Sequence, residues 1–132
     1  MSDFTPKPDL SVLNKWPIGG WEWPRIVVHI PMMSALLYAD KVFGRLWAIA
    51  QQGVPFLPLG ADVTHVVRNR AGEALLMSDF THILMLDADH LHQVDIVQRM
   101  ARRVIQDPTR QVVAGLYFNR RAMRCTMSTW CK

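Results

Sequence analysis

The chain is poor in the features that would settle its class at once. It has two cysteines in 132 residues, Cys125 and Cys131, both late and with no second pair. That excludes a disulfide framework and argues against a four-ligand zinc site. No apolar stretch approaches the about 20 residues that a membrane span needs, and the polar, proline-containing start lacks the basic and apolar segments of a secretory signal. A cytoplasmic location is therefore expected. Gly-x-Gly-x-x-Gly, Gly-x-x-x-x-Gly-Lys and Gly-x-Ser-x-Gly are all missing, so neither a dinucleotide fingerprint, a P-loop nor a nucleophile elbow is available. Internal repeats and low-complexity tracts are absent too. Acid is lacking in one place: no Asp or Glu follows Asp107, whereas Arg110, Arg120, Arg121, Arg124 and Lys132 all do.

What remains is a chain of single-domain size, half hydrophobic and one-fifth charged, which excludes a disordered class. Its formal net charge of +4 favours anionic ligands without requiring nucleic acid. The basic tail, residues 119–132, has three open uses: closing over a diphosphate, contacting another copy in a homo-oligomer, or none that needs fixed structure. Residues 1–24 hold four prolines, Gly19-Gly20 and Trp16, Trp21 and Trp23, a poor helix and a poor strand. They read as an irregular arm whose tryptophans pack on the body, with base or sugar stacking as the alternative.

Between them, strand and helix patterns alternate over residues 25–118. Residues 25–30 are β-branched, uninterrupted and stopped by Pro31, the pattern of a buried parallel strand. Helical spacing follows from Ser34 to Gln52, with Leu36, Ala39, Phe43, Leu46, Trp47 and Ala50 expected inward and Gly53 as carboxyl cap. Residues 54–59 carry two prolines and fit only a short or edge strand. A helix capped by Asp62 or Thr64 runs to about Met77, with Val67, Ala71, Ala74 and Leu75 inward. Residues 83–86 read as a buried strand, residues 93–106 as a helix stopped by Asp107-Pro108, and residues 111–118 as a last strand. The expected fold is α/β with a largely parallel sheet.

The most informative stretch is Thr81-His-Ile-Leu-Met-Leu-Asp-Ala-Asp-His-Leu-His. Were the backbone extended through Asp87 and Asp89, both carboxylates would leave the same side of a strand's carboxyl end, where open α/β sheets bind ligands. Two anions that close repel unless a cation, a donor cluster or a shared proton compensates, and Mg²⁺ or Mn²⁺ is the simplest compensation. The bland alternative has one Asp capping the next helix and the other solvated. His90 is the better candidate for a third ligand and His92 the weaker, while His29 and His82 read as structural. Arg68 and Asn69, near a helix start, suit a phosphate or a ribose.

In this order, Val67-Arg-Asn-Arg-Ala, the Asp-x-Asp strand and Val112-Val-Ala-Gly-Leu-Tyr resemble the nucleotide-sugar-binding half of a GT-A glycosyltransferase of the family 2 type. The resemblance covers residues 25–120. It implies a three-layer, Rossmann-like sheet, truncated to the donor-binding half. It also implies that Asp87 meets the ribose or sugar, that Asp89 holds Mn²⁺ or Mg²⁺ on the diphosphate, and that Pro31, Met32 and Asp62 surround base and ribose. Arg68 and Asn69 would fall near the donor, a UDP- or GDP-sugar, whose sugar passes to an acceptor hydroxyl. Inverting members place a carboxylate base downstream, where this chain has none, so Asp87 and Asp89 are the catalytic candidates with no general base identified. A non-catalytic binding or assembly module is the alternative. A phosphatase of the haloacid dehalogenase type is a further one, although its Asp-x-Asp ends the first strand.

Overall fold

A computed structural model describes residues 7–31, 41–57, 64–87 and 90–115. Within them the fold is mixed α/β, with two parallel strands and three α-helices. Strand β1, Ile26–His29, pairs with β2, His82–Met85, in the register Ile26 to His82 through His29 to Met85. The ladder is closed at both ends. Thr81 N donates to Arg25 O at 2.8 Å, and Leu86 N donates to His29 O at 2.9 Å. Both strands therefore finish at one edge, which places Pro31 and Asp87 side by side in the topology.

The proline-bearing segment lies on the other side of β1. Val28 N donates to Pro55 O and Leu57 N to Val28 O, both at 2.9 Å, giving one parallel bridge between Val28 and Phe56. Pro55 has no N–H to offer a ladder, so a single bridge is what the sequence permits. β1 is thus the central strand among the described residues, and all four of its side chains are buried.

Helix α1 (Lys41–Ala50) ends at Gly53, which takes φ +75°, the left-handed conformation of a carboxyl-terminal glycine. Its inward face differs from the expected one. Ile49 is fully buried, while Phe43 and Trp47 are about 60% exposed and stack on each other one turn apart. The apolar stripe of α1 is wider than the strip that touches the core, and Leu46 and Ile49 occupy that strip.

Helix α2 (Thr64–Leu76) buries Val67 and Ala71 as the spacing predicts. Helix α3 (Ile96–Gln106) buries Val97, Ala101, Val104 and Ile105 and stops at Asp107. It begins three residues later than expected, because residues 93–95 form a turn with Ile96 N on Gln93 O at 3.1 Å.

One apolar cluster joins Ile18 and Trp21 of the arm, Ile26, Val28 and Ile30 of β1, Ile49 of α1, and Val97 and Ala101 of α3. The alternation of a strand sends Val27 and His29 to the opposite face, where they too are buried. In the arm, two short 3-10 turns, Ser11–Asn14 and Ile18–Gly20, replace regular structure. Trp21 is buried there with Nε1 donating to Lys15 O at 2.7 Å. Trp16 is largely exposed and Trp23 partly so, its ring meeting His82 edge-on, and Trp21 is the one of the three that enters the core.

Two strand expectations need correction. β2 is half-buried, with Met85 exposed, because it is flanked by β1 on one side only among the described residues. Residues 111–115 form no strand and Val112 is 84% exposed; residues 116–118 of that expected strand lie outside the described residues. Met32, Asp62, Asp89, both cysteines and the basic tail also lie outside them.

Candidate functional site

Asp87 is the second residue beyond β2, held in place by the last rung of the ladder at Leu86. Arg68, in the second turn of α2, reaches across to it: Nη2 lies 2.7 Å from Asp87 Oδ1, with a longer contact of 3.5 Å to Leu86 O. The Arg68 side chain is 19% exposed and that of Asp87 57%. The carboxylate is accordingly open to solvent while the cation that meets it comes from inside.

Two histidines close the other side of Asp87. His92 Nε2 lies 2.7 Å from the Asp87 carbonyl oxygen, which only accepts, so the proton sits on Nε2 and fixes this tautomer in the neutral ring. His90 Nδ1 stands 3.7 Å from Asp87 Oδ2, and the two imidazoles stack with centroids 6.1 Å apart. The loop that carries them is pinned from below. Gln52 Nε2, at the end of α1, donates to Val94 O at 2.7 Å, and Gln98 of α3 donates to Gln52 Oε1.

Behind Arg68 is a residue that the sequence reading left out of the site. His29 ends β1, is fully buried, and neither ring nitrogen has a hydrogen-bond partner among the described residues. Burial lowers its pKa below the ordinary 6.5, and the nearby Arg68 charge lowers it further, so the ring is held neutral. Arg68 Nη1 is itself buried and has no partner among the described residues. The signal was present: a polar residue in an otherwise aliphatic strand, on the side-chain face opposite Ile30 and two residues before the edge that Asp87 occupies.

The expected site residues divide accordingly. Asp87, Arg68 and His90 are brought together. Pro31 is buried at the same edge, at the end of β1. Asn69 is exposed on α2 and makes no hydrogen bond to Asp87, since one residue along a helix turns the side chain about 100° away. His82, expected to be structural, is paired locally: its Nδ1 lies 2.8 Å from Thr81 Oγ1, and its ring meets Trp23 edge-on. Burial depresses its pKa as well.

Among the described residues no three His, Cys, Asp or Glu side chains converge as a metal cage. The exposed Asp87 carboxylate with His90 beside it fits another type of site, in which Mg²⁺ or Mn²⁺ takes one or two protein ligands and completes its shell with water and phosphate oxygens. A concavity of about 380 Å³ elsewhere is lined by Asp95, Arg99, Arg102 and Arg103 on one side of α3, with Arg99 tied to Asp95 at 2.9 Å. It contains none of these residues.

Comparison with protein-family models, with curated proteins and with solved structures finds no match to this chain.

Proposed function

We propose that this chain binds a nucleotide-diphospho-sugar at the carboxyl edge of its parallel strands and acts as a metal-dependent glycosyltransferase of the GT-A type. The observation that carries the reading is the convergence of Arg68 and Asp87, 2.7 Å apart, at the end of β2. A carboxylate open to solvent can receive a divalent cation, and a guanidinium beside it can receive phosphate oxygens as paired hydrogen bonds. These are the two chemistries that a metal-bridged diphosphate needs within one ion's reach. The three-layer sandwich belongs to the same proposal. In its support, β1 is buried on both faces, with α1 and α3 on one and Arg68 of α2 beside His29 on the other.

In this reading Asp87 holds the metal together with Asp89, and His90 is positioned to join them. Pro31, Met32 and Asp62 border base and ribose, and Asn69 lies near the donor. No residue is assigned as the base that takes the proton of the acceptor hydroxyl. Donor binding is therefore the first quantity to test. Titration calorimetry with UDP- and GDP-sugars, with and without Mn²⁺, should show binding that needs the metal and is lost in Asp87→Ala. Metal-dependent binding without sugar transfer or hydrolysis would make the chain a binding module instead. Release of phosphate from a monoester would make it a phosphatase.

A further inference from the structure

We infer that Arg68 is the resident counter-ion of Asp87 and changes partner when ligands arrive, leaving the carboxylate to a divalent cation and moving onto the diphosphate. The inference rests on the donor-binding reading and adds to it a coupling between the two ligands. Asp87 Oδ1 already holds a cation at 2.7 Å, so a metal ion that arrives alone must displace a charge-assisted hydrogen bond or share its acceptor. The guanidinium, for its part, is incompletely satisfied. Nη2 has the carboxylate and a long contact to Leu86 O, whereas Nη1 is buried with no acceptor among the described residues.

A buried N–H left unpaired costs about 1–3 kcal/mol, and His29 next to it is buried with both nitrogens unpartnered. Nη1 of Arg68 therefore lacks an acceptor where the side chain now lies, among the described residues. A guanidinium that moves out onto a phosphate finds acceptor oxygens for both terminal nitrogens, and the charge that Arg68 withdraws from Asp87 is replaced by the metal. His29 is held neutral by its burial and cannot substitute for either charge.

The consequence is reciprocal, as any coupling between binding sites must be. Metal alone and diphosphate alone each bind against the Arg68–Asp87 pair, and together they dissolve it once. Allosteric couplings of this kind typically span about 5- to 150-fold in affinity. An intermediate value, about tenfold, is expected here.

The test is calorimetry on the full chain with MnCl2 alone, UDP alone, GDP alone, and MnCl2 with each nucleotide at saturation, for wild type and Arg68→Gln. Glutamine keeps a polar side chain without the charge, and circular dichroism confirms that the variant is folded. A second variant, Arg68→Lys, retains the charge if the first fails to fold. In wild type, Mn²⁺ should bind weakly alone and about tenfold more tightly with UDP or GDP. In Arg68→Gln, Mn²⁺ alone should bind about tenfold more tightly than in wild type, and the further gain from the nucleotide should be smaller than in wild type by the same factor. Arg68→Lys should keep part of the coupling.

Nucleotide-dependent Mn²⁺ binding that is the same in wild type and both variants overturns the exchange and leaves the donor-binding reading standing. Mn²⁺ and nucleotide binding by none of the three proteins overturns the donor-binding reading, and the exchange with it.

Discussion

Arg68 and Asp87 meet at 2.7 Å across 19 residues of sequence, yet the two sides of the pair sit in different media. The carboxylate is more than half exposed and the guanidinium largely enclosed. An ion pair screened on one side contributes at most about 1 kcal/mol, and the unpaired Nη1 offsets that gain. Stability is therefore a poor reason for this arginine to be here. Arg68→Met, which fills the same length without an orphaned donor, should leave stability unchanged or raise it by up to about 1 kcal/mol. The urea midpoint at pH 7 with an unchanged m-value reads this directly. A loss above about 2 kcal/mol would instead make the guanidinium a structural tie.

Acid should destabilise the fold through two histidines. His29 and His82 both have folded-state pKa values depressed below 6.5, by burial in each case and by Arg68 as well for His29. The unfolded chain protonates as pH falls through about 6.5, while the folded chain does not until lower pH. The stability they contribute is therefore complete above pH 6.5 and is lost as the pH drops from there toward their folded values. Thermal melts between pH 8 and pH 5 should show this decline. It should shrink in His29→Leu, whose ring equivalent does not titrate; a variant with an undiminished decline would remove His29 from the account.

Those two histidines also mark where the sequence was legible. Period and punctuation located β1 from its run of β-branched residues and the stop at Pro31, α2 from Val67 and Ala71, and the end of α3 from Asp107-Pro108. They also put Arg68 and Asp87 on one edge, since Asp87 follows β2 and Arg68 lies in the first turns of the helix that precedes it. Distance between elements is another matter. Nothing in the spacing of Phe43 and Trp47 says that the core ends before reaching them, and the aliphatic run of β2 does not reveal that among the described residues only β1 flanks it. His29 reads as structural and is fully buried in β1; that its two nitrogens find no partner among the described residues is visible only in three dimensions.

The arm is tied to the body by a glycine pair. Ile18 N donates to Gln52 O at 3.1 Å and Gly19 N to Gly53 O at 2.8 Å, so the backbones run in close contact. A Cβ on Gly53 would strike Pro17 Cβ, and φ is +75° there, a region that side chains other than glycine enter at a cost. Gly53→Ala should destabilise by about 2 kcal/mol or more, the sum of strain and clash. Gly44→Ala is the matched control, because a Cβ there meets open space inside α1, where alanine is the better helix former. Chemical denaturation of the two variants should move in opposite directions, and equal effects would show that the Gly53 contact is not formed.

Gln52 is the residue through which a stability change should become a change at the site. It is buried, its amide nitrogen donates to Val94 O at 2.7 Å and to Ala48 O at 3.3 Å, and its oxygen accepts from Gln98. Three segments meet on that one amide: the end of α1, the loop that carries His90 and His92, and the first turns of α3. Gln52→Leu keeps the volume and strips the hydrogen bonds, leaving the Val94 carbonyl and the Gln98 amide unsatisfied at about 1–3 kcal/mol. The freed loop should then let His92 leave the Asp87 carbonyl, 2.7 Å away in the intact protein. The expected outcome is a stability loss of about 2 kcal/mol together with faster amide exchange across residues 90–95, while β1 retains its protection. Exchange that rises uniformly along the chain would mean that Gln52 acts on the fold as a whole and has no special hold on the loop beside Asp87.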